Sequence, residues 1–153
     1  IVFGDWSSDV CSSDLAFAFM EFVAWSNHKY VMHGFLWSLH KDHHLTDIAG
    51  KPVLQKNDYF FLIYATPAII LIIWGLSSVN PYLIAIGAGI TLYGFTYFIF
   101  HDVVYHQRFP FFSNPKSSYV KALKKAHQAH HKPKNLKDFN NYGLLVFSRR
   151  YFK

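Results

Sequence analysis

Cysteine is nearly absent and acidic side chains are scarce. The single cysteine is Cys11, so no disulfide can form within the chain. Nine Asp and Glu stand against fifteen Lys and Arg, and glycine and proline together supply only fourteen of 153 residues. Two long stretches carry no charge at all: Tyr59 to Leu76, eighteen residues, and Tyr82 to Phe100, nineteen. A chain this short holds one domain.

The N-terminal Trp6-Ser-Ser-Asp-Val-Cys-Ser-Ser-Asp-Leu15 is polar and foreign in character. It matches the translation of a widely used short-read sequencing adaptor, so residues 1–15 are expected to be non-native and the native domain to run over 16–153. Such segments are set aside in fold reasoning. Cys11 then says nothing of redox compartment. Without Asp5, Asp9 and Asp14, six acidic residues remain against fifteen basic ones, a formal charge of +9.

The chain does have histidine, and in an ordered pattern. All ten histidines fall in four clusters: His28/His33, His40/His43/His44, His101/His106 and His127/His130/His131. The order is pair, triad, pair, triad. Imidazole is the commonest neutral metal ligand, and the triad spacing i, i+3, i+4 puts three rings on one helical face. Ten nitrogens are too many for one tetrahedral zinc and suit two ions of higher coordination number, iron as well as zinc. Residues five apart on a regular α-helix are rotated by about 140°, so each pair can converge only on irregular backbone, such as a π-bulge.

Hydrophobic residues make up 52% and aromatics 20% of the chain. The fold expected is an all-α integral membrane protein. It has spans at about 16–37 (truncated), 59–76 and 82–100, with a cytoplasmic amphipathic helix over about 118–131. An uncharged stretch of eighteen residues is long enough to cross a bilayer. Pro67 should kink its helix. Gly87, Gly89 and Gly94 should let a neighbouring helix approach closely. The turn at 77–81 has no Lys or Arg, so the positive-inside rule puts the basic ends and all four histidine clusters in the cytoplasm. Leu45 to Asn57 reads as a polar loop, with Asn57 and Asp58 as helix caps. Phe109 to Phe112 reads as an interfacial loop. Glu21, inside an apolar stretch, should face protein, as a hydrogen-bonding group between helices or as a carboxylate ligand or partner of one. The apolar patch Tyr142 to Phe147 either closes over the site or docks on the bilayer.

These residues carry a resemblance. His28-Lys-Tyr-Val-Met-His33-Gly34, His40-Lys-Asp-His43-His44, His101-Asp-Val-Val-Tyr-His106-Gln107-Arg108 and His127-Gln-Ala-His130-His131 resemble the bacterial β-carotene hydroxylases, within the fatty acid hydroxylase and sterol desaturase superfamily of membrane di-iron enzymes. The resemblance implies O2-dependent hydroxylation of C3 of each β-ionone ring, giving zeaxanthin by way of cryptoxanthin. It implies two iron ions on the ten histidines, with zinc a possible occupant in purified material. Electrons would come one at a time from reduced ferredoxin, drawn to the basic surface. The setting would be the bacterial inner membrane, with a carotenoid as substrate and no nucleic acid as partner. The C–H bond is unactivated, so a redox metal must supply the oxidising power.

Supporting roles follow. Asp102 could fix the tautomer of a ligand imidazole. Arg108 could pair with Asp102 or, slightly favoured, with lipid phosphate. Gln107 could join them around the ligands. Tyr30, Trp37, Tyr93, Tyr97 and Phe98 could line a slot for the ring. The competing readings are another oxygenase of the superfamily (sterol or fatty-acid hydroxylase or desaturase, or carotenoid ketolase) and a non-enzymatic haem- or zinc-binding membrane protein.

Overall fold

The computed structural model describes residues 6–45, 54–109, 112, 114–133 and 139–153. Among them every regular element is helical. Helix α1 spans Trp6–Ser26, α2 Trp37–Leu45, α3 Tyr59–Ser77, α4 Pro81–Tyr97 and α5 Ser118–His131. Two π-helical segments interrupt this order, Asn27–Phe35 between α1 and α2 and Phe98–Tyr105 after α4. Most of the expected polar loop (46–53) and part of the expected interfacial loop (110–111) lie outside the described residues. The polar decapeptide 6–15 is the opening of α1.

Helices α3 and α4 form a hairpin. Asn80 ends the turn and caps α4, its side chain accepting from the backbone N–H of Tyr82 at 3.0 Å and Leu83 at 3.3 Å, with Pro81 in the first helical position. The side-chain oxygen satisfies donors that the first helical turn leaves without partners. Glycine sets how closely the helices meet. A Cβ on Gly75 would lie 2.7 Å from Ile84 Cγ1, and one on Gly87 would lie 2.7 Å from Ile72 Cγ1 and 3.0 Å from the Ala68 carbonyl. Gly89 makes the matching contact with Ser13 and Ala16 of α1. Two of the three expected contact glycines therefore pack helices together. Gly94 does not: a Cβ there meets nothing within 4 Å. Helix α3 runs through Pro67 as one element.

The apolar helices Lys56–Ser77 and Pro81–Tyr105 are long and apolar enough to cross a membrane, yet only 17% and 22% of their apolar windows are buried inside the protein. Phe61, Ile69, Ile73, Trp74 and Phe95 all point outward. A buried soluble hairpin would hide these side chains.

Helix α5 turns Ala122, Leu123, Ala126, His127 and His130 inward and leaves Lys121 and Lys125 outside. The C-terminal chain returns across α1. Glu21 accepts from the backbone N–H of Leu145 and Val146, each at 2.9 Å, and from the Tyr93 hydroxyl at 2.7 Å. Glu21 thus ties three parts of the chain together, and its carboxylate is spent on hydrogen bonds rather than facing the histidines. Gly143 lies so close that a Cβ would meet Glu21 Oε1 at 2.8 Å. Leu144 is buried and its carbonyl accepts from the Tyr105 hydroxyl at 3.1 Å. The patch at 142–147 therefore packs on the protein over the histidine end.

Candidate metal centre

The backbone solves the pair-spacing problem as the spacing demands. In a π-helix each N–H reaches back five residues. The His106 N–H donates to the His101 carbonyl at 3.0 Å, and the Leu36 N–H to the Val31 carbonyl at 3.0 Å. The rings of each pair meet on one side, edge-on with centroids 4.6 Å apart for His101 and His106 and tilted at 5.0 Å for His28 and His33.

The ten imidazoles gather at one end of the helices, and nine of them sort into two groups. His28, His33, His40, His44 and His130 form one, and His43, His101, His106 and His127 the other, with the ligand atoms of each group within 4.8 Å of one another. His131 stands at the join, its ring 4.2 Å from His44 and 4.5 Å from His127. Each π-helical pair belongs whole to one group. Each triad is divided: α2 sends His40 and His44 one way and His43 the other, and α5 does the same with His130 and His127. Sequence spacing alone did not reveal this division. It needs the two triad helices to lie between the two pairs.

The protonation pattern points to cations. A backbone carbonyl can only accept, so His28 Nδ1–H donates to Tyr142 O at 2.9 Å and His130 Nδ1–H to Asn140 O at 2.7 Å. His40 Nδ1 meets Asn57 Oδ1 at 2.6 Å, and His43 Nδ1 meets Gln55 Oε1 at 3.2 Å. A neutral imidazole has one N–H, so the Nε2 atoms of these four carry lone pairs. Yet His28 Nε2 and His40 Nε2 face one another at 3.2 Å. Two lone pairs so placed repel, and a shared cation reverses the sign. The other Nε2 pairs are His33–His130 at 3.0 Å, His40–His44 at 3.0 Å, His43–His101 at 3.1 Å and His106–His127 at 2.8 Å. With imidazole–metal bonds of about 2.0–2.1 Å, neighbouring ligands lie roughly 2.9 Å apart on an octahedral ion and about 3.3 Å on a tetrahedral one. The spacings, and five donors in one group, fit the higher coordination number.

Seven of the ten histidines are buried. Burial first, and then the neighbouring imidazoles, hold His40, His43 and His127 well below the ordinary histidine value, and His44 down to about 2. His130 is lowered in the same way. These five are therefore neutral and ready to ligate at physiological pH.

The supporting residues differ from expectation in several places. Arg108 makes ion pairs inside the protein: Nη1 to Asp102 Oδ1 at 2.9 Å and Nη2 to Asp58 Oδ1 at 2.9 Å. This replaces the lipid-phosphate reading. Asp102 lies 3.6 Å from His101 Nδ1, beyond hydrogen-bond length, because its carboxylate is drawn to Arg108. Gln107 adopts φ 49°, the left-handed turn between His106 and Arg108. Asn57, expected as a helix cap, instead accepts from His40. Gln55 and the carbonyls of Asn140 and Tyr142 were not anticipated, since nothing in the local sequence marks a residue as the acceptor for a distant ring.

Two cavities reach the histidines, one at His28 and one at His33. A largely apolar one of about 530 Å³ lies between α1, α3 and α4, with His28 and Asp102 at one end and Tyr93, Tyr97 and Phe98 among its walls. A second, of about 430 Å³, is bordered by Lys29, Tyr30, His33, Trp37, Phe139 and Tyr142. The five aromatics expected around one slot are thus divided between two cavities.

Known proteins are similar to this chain. A curated β-carotene hydroxylase of Pseudescherichia vulneris is 40% identical over 126 residues, covering 82% of this chain and 69% of its own. That of Pantoea ananas is 39% identical over 126 residues, covering 82% and 70%. A chloroplastic β-carotene 3-hydroxylase of Arabidopsis thaliana is 35% identical over 135 residues, covering 83% and 40%. No solved structure matches. The fatty acid hydroxylase model matches residues 14–152; with two adjoining histidine groups, each built from one pair and members of both triads, the chain belongs to the fatty acid hydroxylase family.

Proposed function

We propose that the protein is a β-carotene 3-hydroxylase. It adds a hydroxyl to C3 of each β-ionone ring, giving cryptoxanthin and then zeaxanthin. One cycle consumes the C–H bond, O2, two electrons and two protons, and yields the alcohol and water. The observation that carries the reading is the pair of adjoining histidine groups with facing lone pairs, in a chain whose relatives bear this activity.

The ten histidines would hold two iron ions, which, when bound, supply O2 activation. The chain's own residues do the rest. The carbonyls of Tyr142 and Asn140, with Asn57 and Gln55, hold four imidazoles with Nε2 turned inward. Such outer hydrogen bonds fix tautomer and ring orientation and raise ligand basicity. Tyr142 lays its ring against those of His28, His33 and His130. The apolar cavity presents a hydrocarbon to the His28 end.

The cavity lining also separates substrates. It contains Asp58 and Asp102 but, among the described residues, no Lys or Arg. A fatty acid's carboxylate would find no cation there, whereas a carotenoid needs none. Imidazoles about 3 Å apart leave no space for a porphyrin between them, which disfavours haem.

The exposed apolar faces of α3 and α4 support a multi-pass position in the bacterial inner membrane, with the site on the cytoplasmic side. Ferredoxin is the proposed electron donor. Lys29, which lines the second cavity with His33, offers an acidic carrier an approach apart from the apolar cavity.

The test is expression in a bacterium that accumulates β-carotene, followed by pigment analysis. Cryptoxanthin and zeaxanthin are expected. Unchanged β-carotene, or a ketolated product, would overturn the assignment.

A further inference from the structure

Gly94 is a glycine without the usual reason for one. Its φ is helical, and no neighbouring helix touches it: the space where its side chain would stand is empty to 4 Å. Gly in a helix interior is less favourable than Ala, so the open space calls for a cause other than packing.

The cause lies in how the hairpin is joined. Near its turn α3 and α4 are drawn together by Gly75 and Gly87. Towards the histidine end they separate, and α1 closes the third side. The 530 Å³ cavity occupies that gap, and Gly94 lines it with Ala65 and Ala68 opposite. Along α4 and the π-helical segment that follows it the lining runs from Ile90 to Asp102, roughly 18 Å at 1.5 Å per residue. Gly94 sits seven residues before His101, about 10 Å along the axis.

Most polar groups along the walls are already engaged. Tyr93 donates to Glu21, Thr91 to the Gly87 carbonyl, and Asn27 to the Tyr64 hydroxyl. Asp58 and Asp102 are held by Arg108. What remains is an apolar tube, open on the side where Phe61, Ile69 and Phe95 are exposed.

We propose that this cavity is an end-on slot for one ring and the adjoining polyene of a carotenoid, and that Gly94 keeps it open where the polyene passes. The proposal rests on the functional reading above. A carotenoid with a ring at each end is far longer than the slot. One ring lies at the His28 end, the polyene runs beside Gly94, and the rest emerges between α3 and α4 into hydrocarbon. The singly hydroxylated product must therefore leave and return by its other end.

The test compares wild type, Gly94→Ala, Gly94→Phe and Leu92→Phe in β-carotene-accumulating cells. Leu92 lies two residues away, is exposed and is outside the lining. Each protein is also purified in detergent for iron content, melting temperature and co-purifying pigment. Gly94→Phe should form hydroxylated product at least tenfold more slowly and retain little pigment, with wild-type iron and melting temperature. Gly94→Ala and Leu92→Phe should behave as wild type. Ala65→Leu, narrowing the slot from the other wall, should repeat the loss and stands in if Gly94→Phe misfolds. Full turnover and pigment retention in Gly94→Phe or Ala65→Leu would overturn the slot while leaving the functional reading intact. A wild type that retains pigment but makes no hydroxylated product would overturn that reading and leave the slot standing.

Discussion

Asn57 accepts the Nδ1 proton of His40 at 2.6 Å and so fixes which nitrogen faces the cluster. Asn57→Leu removes that acceptor. Metal affinity should fall about 10–100-fold, the usual cost of losing such a partner, while helix content stays unchanged; competition with a chelator reads the affinity. Arg108 neutralises two part-buried carboxylates at once. Arg108→Met leaves Asp58 and Asp102 without their cation and should cost on the order of 1–3 kcal/mol, between the values for exposed and for buried pairs, visible as a lower melting temperature. The histidines themselves set a pH dependence. His40, His43, His44, His127 and His130 have lowered folded-state values against an ordinary 6.5. The unfolded chain then binds protons that the folded chain refuses. Stability of the metal-free protein is complete above about pH 7 and falls as pH drops below 6.5. Thermal melts of chelated protein between pH 8 and 4.5 should show that slope, and a flat profile would contradict it.

At the scale of elements, regular periodicity was legible and tertiary choice was not. The triads of α2 and α5 follow from i, i+3, i+4 spacing. The two π-helical segments follow from a five-residue spacing that no α-helix can serve. The hairpin follows from two uncharged stretches and Asn80-Pro81. Which group each histidine joins could not be read, because it depends on how α2 and α5 lie between the pairs. The same holds for Arg108: a cation beside an apolar helix can reach lipid or a carboxylate, and only the fold brings Asp58 within 2.9 Å. The glycines separate in the same way, since all three sit on one helix and only neighbours distinguish them. Gly87→Val should destabilise the hairpin by about 1–3 kcal/mol through overpacking, because an added Cβ would already meet Ile72 and Ala68. Gly94→Ala should be neutral or slightly stabilising. Melting temperatures of the two variants in one detergent decide it.

The whole molecule is a set of apolar helices that converge on ten imidazoles and are covered there by the C-terminal chain. Helix packing alone does not explain that end, since it places lone pairs against lone pairs in a buried space. Bound metal resolves the conflict and should stabilise the fold by mass action. The most direct measurement is metal stoichiometry: the protein is stripped, loaded anaerobically with ferrous iron, freed of excess, and analysed for iron per chain. Two ions per chain are expected, and one or none would contradict a dimetal centre.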